Sequence, residues 1–311
     1  MNAMEVKSSE KYRYCQISEN VIMFMKNDSI GQEIYDTVEK IVDNTANTWQ
    51  KGRTREEMYH DTLQGKLAED MYADFIKFYQ PEQTILYLSY DDFREDGFEK
   101  HAPIDGILYL SGNKWLQNGL NIINNDVQNN QYGKVSPNTL SYLKSKGLYT
   151  VEVKSSRVPD KDYNGISKQA FRKAHQQQQL ISNLRKRDFF VYPEFSRTIG
   201  KKVHNFNDYC KYVVEYHSQF AGLSKQELIR EIVIKELETK CDIYTRIFMD
   251  WNTTESIIGY ITGYALGTDF FIEPRIINMS RKDKSENALY YVFPIESCRN
   301  LLDIFNDNRL W

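Results

Sequence analysis

The sequence predicts an α/β fold, with a central mixed β-sheet flanked by helices, and two observations support this prediction. Short apolar runs of strand-like composition, such as 107–110 and 148–154, lie between turn signals. Longer segments with apolar residues at helical spacing separate them, as in 54–80 and 167–187. Strands that alternate with helices long enough to cross over a sheet are typical of α/β proteins.

Capping boxes mark the first two predicted helices. Ser-x-x-Gln begins the segment 29–50, and Thr-x-x-Glu begins a longer segment that ends before Pro81. In a capping box the first and fourth residues satisfy each other's backbone N–H groups, which favours the start of a helix. We interpret residues 1–53 as a helical N-terminal extension.

The remaining elements follow from the same rules of periodicity and turn chemistry. Residues 112–135 are rich in Asn, Gln and Gly, and we expect a loop or small insertion there. The mixed strands and helices of 206–311 predict an α+β part that packs on the preceding residues as one globular unit. Strands are expected at 84–90, 107–110, 148–154, 189–192, 243–249, 256–262 and 290–293, and helices at 137–146, 167–187, 224–239 and 296–306.

Composition indicates a folded protein of the cytoplasm. Hydrophobic residues make up 41% of the 311 residues and aromatic residues 14%, which is enough for a packed core. The four cysteines are scattered without metal-ligand spacing, a pattern typical of reduced thiols. No segment has the length of a membrane span or the shape of a signal peptide, so no membrane association is expected. Phosphate-cradling and dinucleotide motifs are missing from the sequence, so no nucleotide cofactor is expected.

Acidic residues and a lysine occur at two successive predicted strands. Asp105 comes shortly before the strand 107–110, and Glu152 and Lys154 lie within the strand 148–154. Because side chains alternate along a strand, Glu152 and Lys154 point to the same face. Two carboxylates and an ammonium group are poor core material, but they can hold Mg²⁺ and a water molecule against a phosphodiester. The sequence therefore predicts a metal-dependent nuclease.

This pattern, Asp105 followed by Glu152-Val153-Lys154 with strand, helix and strand around it, resembles the PD-(D/E)xK nuclease superfamily. Type II restriction endonucleases are the best-known members of that superfamily. The resemblance covers roughly residues 54–205 and implies a restriction endonuclease-like core. It also implies an acid that opens one strand and a Glu-x-Lys on the next, at the splayed end of a mixed sheet.

The resemblance implies a role for each of these residues. Asp105, Glu152 and the backbone carbonyl of Val153 would bind Mg²⁺, for which Mn²⁺ is a possible substitute. Lys154 would hold or help deprotonate the attacking water and stabilise charge on the scissile phosphate. Family members often carry a glutamate on the preceding helix, and Glu69 matches it as a possible ligand of a second metal ion.

Two assignments within this pattern stay open. The long segment between Asp105 and Glu152 leaves Asp126 as a rival for the first acid. The family also often has a glutamine on the helix after the Glu-x-Lys strand, where residues 176–179 are all Gln. Helical periodicity places Gln177 and Gln178 near the buried face of that helix, so these two are the candidate catalytic glutamines.

The segment after Glu152 is basic within an acidic chain. Residues 152–205 contain twelve Lys or Arg and five Asp or Glu, whereas the whole chain has a net charge of −3. Basic side chains that contact phosphates position a duplex and make its binding weaken with salt. The candidate contacts to double-stranded DNA are Ser155, Arg157, Lys168, Arg172, Arg185, Lys186 and Arg187.

The N-terminus contains a second copy of the motif. Residues 5–9 repeat residues 152–156 letter for letter, as Glu-Val-Lys-Ser-Ser. The first copy has no apolar run before it and no upstream acid, and we expect it to lie in a frayed terminus. The two copies have the same sequence, so only the surrounding residues distinguish the copy at 152–156 from the N-terminal copy.

The predicted function is a type II restriction endonuclease that cuts double-stranded DNA at a specific sequence. A homodimer is expected, because cutting both strands of a symmetric site needs two active sites that face opposite strands. Two alternatives stay open. One is a structure-specific repair, recombination or phage-type nuclease, and the other is a DNA-binding module whose carboxylates are incidental.

Overall fold

A mixed β-sheet of eight strands forms the centre of the protein. The structure is a computed structural model that describes residues 6–26, 29–45, 54–80, 82, 84–158, 174–195, 203–250, 257–280 and 287–311. The strands in these residues are β1 (Val6–Ser8), β2 (Tyr12–Ser18), β3 (Val21–Lys26), β4 (Ile85–Ser89), β5 (Gly106–Leu110), β6 (Leu148–Arg157), β7 (Asp188–Val191), β8 (Ile243–Asp250), β9 (Ile258–Leu266), β10 (Arg275–Ser280) and β11 (Asn287–Pro294).

The described residues also form seven helices. They are α1 (Gln32–Thr45), α2 (Arg55–Tyr79), α3 (Leu116–Asn129), α4 (Pro137–Ser145), α5 (Ala174–Arg185), α6 (Phe206–Tyr216) and α7 (Lys225–Leu237). Together with the mixed sheet they confirm the α/β class. None of these described helices combines the length and the apolar character needed to cross a lipid bilayer.

The central sheet has the order β1-β2-β3-β9-β8-β6-β5-β4. The strands β4, β5 and β6 pair antiparallel, whereas β6 and β8 pair parallel. A parallel pair needs a crossover, and the chain between β6 and β8 contains α5, β7, α6 and α7. A second, antiparallel sheet has the order β10-β11-β7.

The central sheet separates two hydrophobic layers. Buried residues of α1 and α2 pack with one face of the sheet, where Val151 and Val153 of β6 belong to the same cluster. Buried residues of α3 to α7 and of the smaller sheet form the cluster on the other face, with Tyr244 and Phe248 of β8. Successive residues of β8 therefore contribute to opposite layers, as expected for a strand buried on both faces.

Helix α2 begins and packs as the sequence predicts. The hydroxyl of Thr54 accepts the N–H of Glu57, and the carboxylate of Glu57 accepts the N–H of Thr54 at 2.9 Å, so the capping box is present. Leu67, Met71 and Phe75 are fully buried on one side of this helix, against the sheet. Burial of each such side chain contributes about 1.5–3 kcal/mol, which fixes α2 over β6.

The expectation of a purely helical N-terminal extension is wrong in its first part. Three strands precede α1, and β3 joins the central sheet by pairing with β9. The expected frayed terminus is also wrong, because Lys7 lies in β1, which pairs with β2. Tyr12, Tyr14 and Phe24 of β2 and β3 are fully buried, so the burial of large aromatic rings accounts for the order of these strands.

The loop expected at 112–135 is wrong, because most of this segment forms α3. Leu120, Ile123 and Val127 are buried on one side of α3 at helical spacing, and their packing outweighs the weak helix propensity of the Asn residues. The ammonium group of Lys100 closes the end of α3 by donating to the carbonyls of Val127, Gln128 and Asn130 at 2.7, 2.7 and 2.9 Å.

The helix expected at 296–306 is also wrong. Two short 3₁₀ segments, Ile295–Ser297 and Leu301–Phe305, take its place. The strand pair expected around residues 252–254 is confirmed by the antiparallel pairing of β8 and β9. The predicted helix at 167–187 is described only as α5, because its first residues lie outside the described part.

The three segments proposed from the sequence share one sheet. Strands β1 to β3 come from residues 1–53, β4 to β6 from residues 54–205, and β8 and β9 from residues 206–311. Their ladder hydrogen bonds and both hydrophobic layers cross the proposed boundaries, so the segments are packed together.

Asp307 anchors the C-terminal segment to β9. Its carboxylate accepts the Tyr264 hydroxyl at 2.7 Å and the Arg309 guanidinium at 2.7 and 2.5 Å. Burial acts to raise the pKa of Asp307, but the hydrogen bonds from Arg309 and Tyr264 outweigh it and lower this pKa to about 2. The charged carboxylate therefore stabilises the folded state.

We expect Asp307→Asn to lower the free energy of unfolding at pH 7 by about 1–3 kcal/mol, because charge-assisted hydrogen bonds are lost. The folded-state pKa lies below the ordinary value of 3.8, so this stabilisation is present above pH 3.8 and is lost as the pH falls through about 2. Thermal denaturation from pH 7 to pH 2 should show the difference from wild type narrowing in that range. Asp303→Asn, at an exposed site, is the control, and a pH-independent difference for Asp307→Asn would contradict the assignment.

Candidate active site

The two strands β5 and β6 diverge at one end, and the site lies there. β5 begins at Gly106, opposite Val151, whereas β6 continues to Arg157 and still pairs with β8. Asp105 directly precedes β5, and beyond the last β5–β6 backbone pair its side chain replaces a backbone acceptor. The carboxylate of Asp105 accepts the backbone N–H of Val153 at 2.6 Å. This bond fixes Asp105 beside Glu152 at the splayed end of the strand pair.

The same bond indicates the direction of the Val153 carbonyl. In an antiparallel ladder the N–H and C=O groups of one residue point to the same neighbouring strand. The N–H of Val153 points to Asp105, so its carbonyl points to that side as well. The Val153 side chain is buried in the layer of α2, and this residue lines the cavity beside Asp105.

Glu152 and Lys154 form an ion pair on the opposite face of β6 from Val151 and Val153. The Lys154 side chain is 40% exposed and that of Glu152 is 21% exposed, so solvent screens the pair. The thiol of Cys241 donates to the other Glu152 oxygen at 3.8 Å. Glu152 is therefore held from two sides.

A third acidic group reaches the site from α2. The ammonium group of Lys66 lies 2.7 Å from a carboxylate oxygen of Glu69, one helical turn away, and 2.7 Å from a carboxylate oxygen of Asp91. Asp91 also pairs with Arg94 at 3.1 Å. Asp91 follows β4, so this network joins α2 to the edge of the sheet.

Tyr87 and Gly106 hold the backbone of Asp105. The Tyr87 hydroxyl donates to the Asp105 carbonyl at 3.0 Å, and the Tyr90 N–H donates to the same oxygen at 2.9 Å. The Tyr87 ring crosses directly over Gly106, where an added Cβ would lie 2.4 Å from a ring atom. Only glycine leaves room for this ring, so Gly106 is required for its position.

The pKa values of two carboxylates at this site, Asp105 and Glu69, are raised. Burial and the negative charges of Glu152 and Glu69 raise the pKa of Asp105 well above its usual range, against the opposing charges of Lys154 and Lys66. Burial likewise raises the pKa of Glu69, although Lys66 opposes the shift. Burial acts to lower the pKa of Lys154, but the charges of Glu152 and Asp105 outweigh it and raise this pKa. Such mutual perturbation is typical of functional sites.

These groups surround a cavity of about 310 Å³. Its wall includes Glu69, Asp105, Glu152, Val153 and Lys154, so the structure brings together the four predicted metal ligands and the predicted catalytic lysine. Because β5 diverges from β6 at this end, residues of α2 and residues from both faces of β6 line the same cavity. A cavity of this size accommodates a phosphate group and bound water.

The donor set fits a hard divalent cation. Asp105, Glu152 and the Val153 carbonyl supply oxygen atoms, and Mg²⁺ commonly takes one or two carboxylates and keeps several waters. Burial and the negative charges of Glu152 and Glu69 raise the pKa of Asp105, and a bound cation would offset this shift. Among the described residues, no three His, Cys, Asp or Glu side chains are already arranged as a metal cage. Lys154 meanwhile contacts one oxygen of Glu152.

The rival acid Asp126 lies outside the cavity wall. Its carboxylate accepts the N–H of Ser136, the N-cap residue of α4, at 2.8 Å. Burial acts to raise the pKa of Asp126, but hydrogen bonds from Thr139 and Ser136 lower it. Asp126 therefore joins α3 to α4, and Asp105 is the acid at the splayed end.

The predicted DNA-contacting residues are described only in part. Ser155 lines the cavity and accepts a hydrogen bond from Gln64 at 3.2 Å. Arg157 and Lys186 are exposed, whereas Arg185 and Arg187 are half-buried. The remaining DNA-contact candidates, Lys168 and Arg172, lie outside the described residues. The two candidate catalytic glutamines, Gln177 and Gln178, lie in α5, but their side chains are not among those described.

The sequence prediction missed several groups at this site. Lys66 is three residues before Glu69 on α2, a spacing that would have indicated an ion pair. Asp91 and Cys241 come from distant elements and offered no such signal. Arg246 lies opposite Lys154 in the β6–β8 register and donates to Ser156 at 2.7 Å. Burial and the charge of Arg187 lower the pKa of Arg246 to about 10.

Comparison with known proteins gave no match to this chain among family models, curated proteins or solved structures.

We expect Gly106→Ala to destabilise the protein by about 1–3 kcal/mol, because the new methyl group displaces the Tyr87 ring. Urea denaturation measures this change. Gly65→Ala is the matched control. Gly65 lies within α2 with open space around its Cα, so alanine should leave stability unchanged or increase it by about 0.5–1 kcal/mol. Equal stability of Gly106→Ala and wild type would contradict the close ring contact.

Proposed function

We propose that this chain is a Mg²⁺-dependent endonuclease that hydrolyses phosphodiester bonds in double-stranded DNA, and that it belongs to the type II restriction class. One observation carries the proposal. Asp105 lies at the splayed end of β5, bound to the strand that carries Glu152 and Lys154, and the three side chains line one cavity. This arrangement supports the resemblance to PD-(D/E)xK nucleases on which the prediction from the sequence rested.

In the proposed reaction, Asp105, Glu152 and the Val153 carbonyl would hold the metal ion. When bound, Mg²⁺ lowers the pKa of a coordinated water and neutralises charge on the phosphate. The ammonium group of Lys154 orients the attacking water and stabilises the negative charge that develops on the scissile phosphate. The carbonyl of Asp105 is held by Tyr87, so the carboxylate stays in position during the reaction.

Contact with DNA has to come from the surface around the cavity. Lys66, Arg94 and Lys100 line the cavity, but protein acceptors already bind each of them. Arg157 is exposed at the end of β6, three residues beyond Lys154. Exposed residues of the basic segment 152–205 contact phosphates and position the duplex without reading its sequence. Two chains acting as a homodimer would cut both strands of a symmetric site.

We expect Lys154→Ala to abolish Mg²⁺-dependent cleavage of plasmid DNA and to leave the fold intact, because the Lys154 side chain is 40% exposed. The loss should exceed about 100-fold, since charge stabilisation in the transition state is removed. Agarose gel analysis of plasmid digests measures the rate. Lys7→Ala is the matched control, since Lys7 lies in the N-terminal copy of the same five-residue motif, in β1.

Unchanged cleavage by Lys154→Ala, or equal loss in both variants, would contradict the proposed site. The same digest separates the classes of nuclease. Discrete fragments support a sequence-specific enzyme, whereas smears or branch-dependent cuts indicate a structure-specific nuclease. Salt-sensitive DNA binding without cleavage in Mg²⁺ or Mn²⁺ indicates a binding module.

We expect Asp105→Asn to lose metal-dependent cleavage and at the same time to unfold at a higher temperature than wild type in EDTA. An amide oxygen still accepts the N–H of Val153, but the crowded negative charge is gone. Asp105 forms no salt bridge among the residues that the structure describes, so removing its buried charge should stabilise the fold by roughly 1–2 kcal/mol. Differential scanning calorimetry measures the shift, and a lower unfolding temperature would show that the charge of Asp105 stabilises the fold instead.

A further inference from the structure

We propose that the ammonium group of Lys66 occupies the position beside Glu69 and Asp91 where a second metal ion could otherwise bind. The site would then bind a single divalent metal ion. This inference rests on the proposed function and deepens it. The carboxylates around the cavity form two groups, and they differ in what neutralises them. Glu69 and Asp91 belong with Lys66, whereas Asp105 and Glu152 lie on the strands β5 and β6.

The Lys66 ammonium group uses all of its hydrogen-bonding capacity. It donates to the two carboxylate oxygens of Glu69 at 2.8 and 2.7 Å and lies 2.7 Å from an oxygen of Asp91. An ammonium group has three donors, so none is left over. The side chains of Lys66, Glu69 and Asp91 are 16%, 12% and 13% exposed, which limits screening by solvent.

The charges of Glu69 and Asp91 are thereby neutralised within the protein. Both oxygens of Glu69 face Lys66, and the other oxygen of Asp91 accepts a hydrogen bond from Arg94 at 3.1 Å. Arg94 is itself fixed by Asp96 at 2.7 Å. A metal ion that bound Glu69 would have to displace Lys66 and leave a buried ammonium group without its partner, which is strongly unfavourable.

Asp105 differs from Glu69 in this respect. Its carboxylate accepts the N–H of Val153, but it forms no salt bridge within the part of the chain that the structure describes. Glu152 pairs with Lys154, whose side chain is 40% exposed, so solvent screens this pair more than it screens the contacts of Lys66, which is 16% exposed. A divalent cation can therefore bind Asp105 and Glu152. The carboxylates of Glu69 and Asp91 are already neutralised by Lys66 and Arg94.

The position of Lys66 on α2 makes this arrangement permanent. Lys66 and Glu69 are three residues apart on the same helix, so their side chains meet on one face. The helix is fixed to the sheet by its buried residues, and its cation cannot exchange with solvent ions. Glu69 is consequently a positioning residue for Lys66 in this chain and does not contact the metal ion.

Counting bound Mn²⁺ ions tests this inference without measuring cleavage. Isothermal titration calorimetry and electron paramagnetic resonance of free Mn²⁺, on the full chain, should show one ion per wild-type chain. Lys66→Met removes the ammonium group and keeps its apolar length, so this variant should bind two ions per chain. The double variant Lys66→Met/Glu69→Gln should return to one ion, because a carboxylate of the opened position is lost.

Two ions per wild-type chain, or one ion in a folded Lys66→Met variant, would overturn the inference. Circular dichroism establishes whether that variant is folded. If it does not fold, Glu69→Gln in the wild-type background decides. We expect that variant to bind one Mn²⁺ with a Kd within about threefold of wild type, whereas a loss above about tenfold would make Glu69 a ligand and refute the assignment.

Asp105→Asn separates this inference from the proposed function. We expect it to weaken the single Mn²⁺ site more than about tenfold. A wild-type chain that binds no Mn²⁺ would contradict the proposed metal-dependent function and the inference together. Two ions in wild type, of which Asp105→Asn removes one, would support the proposed function and refute only the role of Lys66.

Discussion

The hydrogen bond from the Val153 N–H to the Asp105 carboxylate is the interaction on which the candidate site depends. It forms where the ladder between β5 and β6 stops, so a side chain takes the place of a backbone acceptor. Without Asp105 the backbone N–H of Val153 would lose this acceptor, and a buried N–H without a partner is costly. The hydrogen bond therefore fixes the position of Asp105. The same bond sets the direction of the Val153 carbonyl and places Asp105 beside Glu152.

The site concentrates negative charge at a cost to the fold. Burial and the negative charges of Glu152 and Glu69 raise the pKa of Asp105, so the charged form of this carboxylate is disfavoured in the folded protein. Lys66 and Lys154 offset part of this cost, one from α2 and one from β6. A sheet designed only for stability would place apolar residues here, as it does with Val151 and Val153 on the other face. Retention of charge at this point is therefore evidence of a demand other than folding.

The two copies of Glu-Val-Lys-Ser-Ser show what the sequence could and could not predict. Strand alternation predicted that Glu152 and Lys154 share a face, and the order of the chain predicted an acid on the neighbouring strand. The N-terminal copy was expected to be frayed, yet Lys7 also lies in a strand. Strand context alone therefore does not separate the copies. The two copies differ in their neighbouring strands. Within the described part of the chain β1 is an edge strand that pairs with β2, whereas β6 lies between β5 and β8, next to Asp105.

Contacts between distant elements explain what the sequence could not predict. The spacing of Lys66 and Glu69 is local, but the partner Asp91 follows β4 and is brought close only by the packing of α2 on the sheet. The long segment between Asp105 and Glu152 contains the predicted helix α4 and also α3 in place of the expected loop, and both helices bury their apolar residues on the sheet. Because the entropy of loop closure grows slowly with length, two packed helices close this connection at little extra cost. Separation along the chain is therefore no argument against Asp105, since the β5–β6 register alone determines which acid meets Glu152.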